Sequence, residues 1–407
     1  MPRFDNLKKN ARRIVRPRSP RQVVSSVVKR RGGKWQLYVA LIVLIAILGL
    51  AGYQLYVWLA APSVQSTSSC DKARGPFVEK GTEILQSDGK VYTPYGITIS
   101  GLSSADYQRY TVYDDSEIIA TADNWCSNTV RFQVAQDNLV GPTGDTYSSA
   151  FMNAINSEVK LAEKLGLVVV LNAQTETVGH ETGPTQATVR FWDDIVNLYG
   201  KDPRVVLDLF NEPRIYSANG PLVGNPGRVW QLWQDGGTYH GVTYVGMQTL
   251  LSNVRSEGAT NLVWVEGPYA DTSLSGVDSH LLTGGPLMYS IHHPYGPHNA
   301  ATWNADFGFL VNRHIAPVVV GEWTNYASTR NECWPDARTA IPSFLDYLAD
   351  ENIGLNAWSL HPGVLIASPS FTSPTHIRAN YACKNSLDQG AGFQLFYWFR
   401  ELNSTTT

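Results

Sequence analysis

The sequence predicts an α/β fold: a (β/α)8 TIM barrel with an N-terminal β-hairpin, preceded by a single transmembrane helix. Three observations predict it. Eight short apolar runs alternate with longer stretches of helical periodicity between residues 95 and 402. Each run is apolar on both alternations and rich in Val, Ile or aromatic residues, the pattern of strands buried on both faces of a parallel sheet. An uncharged apolar run over residues 35–61 precedes them. A doubly wound open sheet is the alternative. It usually carries a Gly-rich phosphate loop after its first strand, and "ITISGLSS" holds no G-x-G-x-x-G.

From the N-terminus, residues 1–34 read as a basic tail. Residues 1–35 hold 12 of the 32 Lys and Arg with one acid, Asp5, so this segment carries +11 and the remainder −14 within a net charge of −3. Such a tail can suggest nucleic acid, but its neighbour argues otherwise. "WQLYVALIVLIAILGLAGYQLYVWLAA" is long enough to cross about 30 Å of hydrocarbon. Trp35 and Tyr38 mark one end and Tyr53, Tyr56 and Trp58 the other, as in interfacial belts. The expected partner of residues 35–61 is membrane lipid, with no nucleic-acid partner. The expected localisation is single-pass in the cell membrane, with the N-terminus cytoplasmic and the C-terminal domain outside. A cleaved signal peptide fits less well, because its apolar region spans only ~7–15 residues and ends in an A-x-A-like site.

Residues 62–75, "PSVQSTSSCDKARG", are small, polar and Ser/Thr-rich, a short flexible stalk. Residues 76–402 form the expected barrel domain, and 403–407 a tail. With 43% hydrophobic and 16% charged residues the chain supports a sizeable core and excludes global disorder. Its 12 Trp and 20 Tyr serve either core packing or a groove on which sugar faces stack. The four cysteines, Cys70, Cys126, Cys333 and Cys383, suit two disulfides in an exported domain, and no C-x-x-C pair suggests a zinc site.

The barrel domain opens on "PFVEKGTEILQSDGKVYTPYG", which reads as a hairpin turning at Asp88-Gly89. The eight runs follow: Tyr95–Ser100, Asn128–Ala135, Gly166–Ala173, Arg204–Phe210, Asn261–Gly267, Leu287–His293, Ile315–Trp323 and Gly354–Leu360. Between and after them, "SSAFMNAINSEVKLAEKLG", "TVRFWDDIVNLYG", "YVGMQTLLSNVRSEG", "ARTAIPSFLDYLADE" and "GFQLFYWFREL" repeat apolar residues at helical spacing. Pro342 sits early in its helix, where a missing N–H does little harm.

Catalytic groups of such barrels sit at the C-terminal ends of the strands. Those ends hold Arg131, Gln174, Asn211 with Glu212, Glu266, His292 with His293, Glu322 and Trp358. Unpaired charge is costly to bury at packed strand ends unless the groups face one shared cleft. Glu212 and Glu322 end the fourth and seventh runs, on roughly opposite sides of the mouth. Paired carboxylates across a bond are what glycoside hydrolysis requires, one protonated to donate and one ionised to attack or activate water. Glu266 reads as a hydrogen-bonding group of the mouth rather than a third catalytic acid, Asp208 as a structural residue and Trp323 as core or subsite.

"DLFNEP" followed by "PVVVGEW" resembles glycoside hydrolase family 5, the cellulase family of retaining (β/α)8 enzymes, over about residues 76–402. The resemblance implies cleavage of β-1,4-glucan by double displacement, Glu212 as general acid/base and Glu322 as nucleophile. It implies Asn211 on the sugar 2-hydroxyl, Arg131 holding Glu322 ionised, and Trp358 stacking beneath the sugar. "YSIHHPYG" is similar to the family's His-x-Tyr element. His293 and Tyr295 fit it best, and His292 is the rival, at the family's usual distance from Tyr289. Gln174 stands where the family often has His. It donates to a hydroxyl but does not titrate near neutral pH. The implied reaction needs no metal or organic cofactor, and the implied partner is a β-linked polysaccharide or oligosaccharide. A β-mannanase of the same family and a non-catalytic carbohydrate-binding barrel are the alternatives.

Cys333 and Cys383 follow the seventh and eighth runs, in adjacent loops on one face. That pairs them and leaves Cys70 with Cys126.

Overall fold

The eight apolar runs form eight parallel strands that close on themselves. A computed structural model of the chain describes residues 38–49, 70–103, 115–175, 183–215, 225–239, 241–292, 298–325, 334, 336–360, 364–366 and 391–403. In chain order the strands are β1 (Val78–Lys80), β2 (Glu83–Leu85), β3 (Tyr95–Ile99), β4 (Thr129–Ala135), β5 (Val168–Gln174) and β6 (Val205–Asp208). They continue with β7 (Gly236–Tyr239), β8 (Val242–Val245), β9 (Val263–Glu266), β10 (Leu287–Ile291), β11 (Val318–Trp323) and β12 (Gly354–Ala357). The closed sheet runs β3-β4-β5-β6-β9-β10-β11-β12 and back to β3. β1–β2 and β7–β8 are separate antiparallel pairs.

All five helices expected from periodicity form: Ser149–Lys164, Gln186–Tyr199, Met247–Ser256, Ala337–Asp350 and Ala391–Asn403. Further helical segments escaped that reading, each for a local reason. Ser116–Ile119 runs into a π-turn at Ala120–Asn124, and Ala300–Trp303 runs through another at Asn304–Gly308 into Phe309–Asn312. The wider turn breaks the 3.6-residue period. Pro226–Asp235 did leave a signal: the Asn225 side chain accepts from the Gly227 amide at 3.0 Å, and Pro226 occupies the first helical position. β9 and β10 are joined through a single 3-10 turn, Val277–Ser279, where an ideal repeat would place a full helix. Pro342 is the sixth residue of its helix, beyond the first turn, so it removes the bond to the Arg338 carbonyl.

The N-terminal hairpin forms, with a different turn. Val78 pairs with Leu85 and Lys80 with Glu83, so the chain reverses at Gly81-Thr82, where Gly81 takes a positive φ. Asp88-Gly89 makes a second turn that returns the chain to a lone bridge between Leu85 and Val91. Ile84, Phe77 and Tyr92 from this region cluster with Val168, Val170, Val206, Trp264, Met288 and Val319, and so plug the interior of the barrel from below. Phe77 stacks on Tyr92 at 4.4 Å, and the Tyr92 hydroxyl meets Thr129 Oγ1 at 2.7 Å. Burying each large apolar side chain of the plug contributes about 1.5–3 kcal/mol.

The chain divides into residues 1–63 and 64–407. In the first unit residues 38–49 are helical and every one of them is exposed. The rest of the 35–61 run lies outside the described residues, and among those described no helix is long and apolar enough to cross a membrane.

Cys70 is bonded to Cys126 with Cα atoms 5.2 Å apart, as expected. Cys333 and Cys383 lie outside the described residues. The bond closes a loop between residues 56 positions apart, joining the segment before β1 to the turn before β4. Constraining a loop of that length in the unfolded chain stabilises by about 4 kcal/mol. Replacing both cysteines by Ser should lower the urea-unfolding free energy of residues 64–407 by about 2–4 kcal/mol; no change would mean the tether adds nothing to the fold.

Candidate active site

β4 carries Arg131 at its third position, below the end of the strand rather than at it, facing the barrel interior. The side chain is fully buried. Its Nε donates to Asp208 Oδ2 at 2.9 Å and its Nη1 to Glu322 Oε2 at 2.7 Å. Its Nη2 donates to Asn211 Oδ1 at 2.9 Å and to Glu266 Oε1 at 3.0 Å. One guanidinium thus ties the ends of β6, β9 and β11 to the middle of β4. Two positions on, on the same strand face, Gln133 Nε2 lies 3.4 Å from Glu322 Oε2.

Backbone geometry aims the two expected catalytic acids. The pairing of β11 with β12 shifts register between Val320 and Trp323. A bulge of this kind re-aims side chains, and here Glu322 turns inward although the apolar run gives no hint of it. Gly321 just before it has no room for a Cβ, which would stand 2.2 Å from Ser290 Oγ. Glu212 follows the end of β6 with φ of +43°, a conformation uncommon outside glycine. Its backbone N–H donates to Glu266 Oε2. Its Oε2 accepts from Arg214 Nη2 at 2.9 Å, and its Oε1 lies 3.3 Å from His292 Nδ1. Oxygens of Glu212 and Glu322 and a His292 nitrogen all lie within 4.8 Å of one another. The Glu212 side chain is 19% exposed and that of Glu322 8%.

His292, the rival to His293 in the sequence, reaches the two acids. It is fully buried, with Nε2 at 3.1 Å from Glu266 Oε1 and 3.4 Å from Asp271 Oδ2, and Nδ1 at 3.9 Å from Glu322 Oε2. His293 and Tyr295 lie outside the described residues. Gln174 ends β5 half-buried, its Oε1 without a partner among the described residues. Trp358 follows β12, half-buried, its backbone N–H on the Trp323 carbonyl at 2.9 Å. Trp323 is core, ringed by Trp334 and Phe344.

Sequence reading missed Asp271. It sits beyond β9 in the run "GPYADT", where no spacing or pattern marks it. It has a positive φ, accepts from the Gly267 amide at 2.9 Å and receives the His292 backbone N–H on its carbonyl at 2.8 Å. Asp208 faces the interior as the structural residue expected of it.

Five carboxyl groups therefore crowd around Arg131 and His292, and the protonation pattern follows. Burial pushes Asp208 up to about 7, with Glu266 adding to the rise and Arg131 opposing it. Burial also raises Asp271 well above the usual carboxylate range. Burial opposes charge on His292, but Glu266, Asp271 and Glu322 outweigh it and hold the ring's pKa well above the usual histidine value. Glu322 corrects one expectation. His292 and Arg131 both pull its pKa down, as the sequence suggested of Arg131, but burial outweighs them and the net shift is upward. Two sets of donors, Glu212–His292–Glu322 and Glu266–Asp271–His292, have the spacing to hold a cation, and both draw on the same histidine.

Asp208 keeps its proton in the folded chain up to about pH 7, whereas an unfolded chain releases it near the ordinary 3.8. The folded state binds more protons within that window, so this group's contribution to stability falls as pH rises from about 4 to about 7. Urea unfolding across the window should show the decline, and Asp208→Asn should flatten it. An unchanged slope in the variant would remove Asp208 as its source.

The fold agrees with that of known proteins. An endoglucanase of Paenibacillus polymyxa is 22% identical over 342 residues, 71% of this chain and 80% of that protein. A beta-glucanase from Saccharophagus degradans, solved in complex with cellotetraose, superposes with a TM-score of 0.60 at 19% identity, covering 84% of this chain and 97% of that one. The catalytic domain of a mannanase from Streptomyces sp. SirexAA-E gives 0.54 at 17% identity, covering 75% and 88%. At these identities the structural likeness establishes the barrel fold. The sequence model of Cellulase (glycosyl hydrolase family 5) matches residues 87–363; the chain belongs to that family and is an O-glycoside hydrolase.

Proposed function

We propose that this enzyme cleaves β-1,4-glucan with retention of configuration, Glu212 acting as general acid/base and Glu322 as nucleophile. The observation that carries the reading is the approach of one oxygen of each carboxyl group to within 4.8 Å of the other, across which no water-wide gap remains. Retaining enzymes hold their carboxyl groups about 5–5.5 Å apart, whereas inverting ones leave about 6.5–9.5 Å for a water.

Electrostatics does not separate the roles, because each acid has an arginine at hydrogen-bond distance. Burial and anchoring support the assignment. Glu322 is the more buried, and Arg131 and Gln133 both approach its Oε2, which leaves Oε1 to attack the anomeric carbon. Glu212 is the more exposed, as suits a group that protonates the leaving oxygen and then takes a proton from water. His292, charged, offers Nδ1 to Glu212 and helps to keep Glu322 ionised. Arg131 occupies Asn211 Oδ1, so the Asn211 amide hydrogens are what it offers to a sugar hydroxyl. Gln174 and Trp358 line the same mouth, as hydroxyl partner and stacking surface. His293 and Tyr295 belong to the substrate-binding set that the resemblance implies, with the Tyr295 hydroxyl on the nucleophile. No step calls for a metal or organic cofactor.

Glucan is supported by the endoglucanase and by the beta-glucanase solved with cellotetraose. Likeness to the Streptomyces mannanase supports a second reading, a β-mannanase. Product analysis on cello-oligosaccharides and mannan, recording the first anomer, separates the two: β-configured glucose oligomers support the proposal, and inverted or mannan-only products reject it. Glu212→Gln should slow hydrolysis about 10²–10⁴-fold and Glu322→Gln at least as much, both with native circular dichroism. Near-normal turnover in either variant would reject the assignment, and no reducing-sugar release from any glycan would favour a binding barrel.

The anchor belongs to the same proposal, supported by the uncharged run 35–61 and its basic flank. The barrel then faces outward from the cell membrane, above the stalk of residues 62–75. The full chain should stay with membranes through an alkaline carbonate wash, while residues 64–407 alone should be washed off. Release of both would remove the anchor.

A further inference from the structure

We propose that Glu266 is a positioning residue for Glu212, setting the direction of the general acid/base through its backbone. The inference rests on the reading of Glu212 as acid/base and extends it to a residue with no role of its own in bond cleavage.

Glu266 ends β9 and is fully buried. All of its carboxylate contacts named here are to the site. Oε2 accepts the backbone N–H of Glu212. Oε1 accepts Arg131 Nη2 at 3.0 Å and stands 3.1 Å from His292 Nε2. Its own backbone is pinned from the outer layer, where Trp233 Nε1 donates to the Glu266 carbonyl at 2.7 Å.

Glu212 needs such a partner. The ladder between β6 and β9 pairs Leu207 with Val263 and Asp208 with Trp264 and ends with the Leu209 N–H on the Trp264 carbonyl at 3.1 Å. Beyond it the chain turns, and Asn211 bonds instead to the Ala173 carbonyl of β5 at 2.9 Å. Glu212 then enters a left-handed conformation, which persists in a non-glycine residue only where its surroundings over-determine it. A carboxylate oxygen takes the N–H beyond the end of the strand ladder. The bond sets φ of Glu212, and φ sets where its side chain enters the mouth. The other oxygen of the same group braces Arg131, which holds Glu322. One rigid carboxyl group therefore fixes the acid/base against the frame of the nucleophile.

Glutamine at this position keeps one carbonyl oxygen and turns the other acceptor into a donor facing an N–H. Displacing a reacting group by about 1 Å can cost 10²-fold in rate. The loss should fall on the step that needs a proton from Glu212. For Glu266→Gln, kcat/KM on cellotetraose should drop ~30–100-fold. On 2,4-dinitrophenyl β-cellobioside, whose leaving group departs without protonation, it should change less than about threefold. In a Glu212→Gln background the further effect of Glu266→Gln on cellotetraose should vanish. Equal loss on both substrates, or no loss on either, overturns the proposal, since a general loosening of the fold does not distinguish leaving groups. Glu212→Gln alone tests the underlying reading: it must show the same gap between substrates, and if it does not, the acid/base assignment fails rather than the brace. Should Glu266→Gln not fold, Glu266→Asp keeps the carboxyl group and withdraws it by one methylene. It should show the same gap at smaller size, and equal losses there overturn the proposal equally.

Discussion

The site depends on one buried cation. Arg131 presents a planar fork of donors, and its acceptors come from three other strands or their ends: Asp208 and Asn211 from β6, Glu266 from β9, Glu322 from β11. Several carboxyl groups facing one another inside a barrel would repel, and desolvation would protonate them all. A guanidinium at their centre allows some to stay ionised, and its geometry dictates where each must sit. A lysine would supply the charge without the fork. The arrangement costs desolvation free energy that burial elsewhere must offset, and the apolar plug of Ile84, Phe77, Tyr92 and the lower strand residues lies directly beneath in chain order along the strands.

The interior therefore has a gradient. Val168 and Val170 on β5 give way to Asn172 and Gln174, and Thr129 on β4 gives way to Arg131 and Gln133. Apolar packing holds the lower part of the barrel, and charge pairing organises the part facing the substrate. Two departures from regular backbone complete it, the β11 bulge at Glu322 and the left-handed turn at Glu212. Both bring acids inward from positions where ideal strands would not hold them together. Carboxyl groups whose pKa is raised by burial, Asp208 and Asp271 among them, follow from placing more acids than cations in a dry space.

Much of the fold was legible because parallel barrel strands carry a strong signature. "GLVVVLNA" and "IAPVVVGEW" are too short and too β-branched for helices, and both faces are apolar. The acids were legible because each stands alone at the end of such a run. What surrounds them was not. The β11 bulge leaves no trace in a strand already apolar on both alternations. His292 and His293 are adjacent and chemically identical, so no pattern in the sequence tells that His292 reaches the acids. Asp271 belongs to no pattern, and Glu266 looks like one more polar strand end until its two oxygens are traced to Arg131 and to the Glu212 amide. The hairpin turn was misplaced because Asp88-Gly89 is a strong turn signal and does form a turn, while Gly81-Thr82 makes the tighter reversal.

Binding, orientation and charge thus converge on a narrow space between two side chains, and the proposed reaction bonds a sugar to one of them. The most direct test is to trap that bond. Incubation with 2,4-dinitrophenyl 2-deoxy-2-fluoro-β-cellobioside, followed by peptide mass mapping, should place one fluorocellobiosyl group on Glu322 with loss of activity in step with labelling. Labelling of Glu212 or of another residue, or a substrate turned over with inversion and no adduct, would contradict the account at its centre.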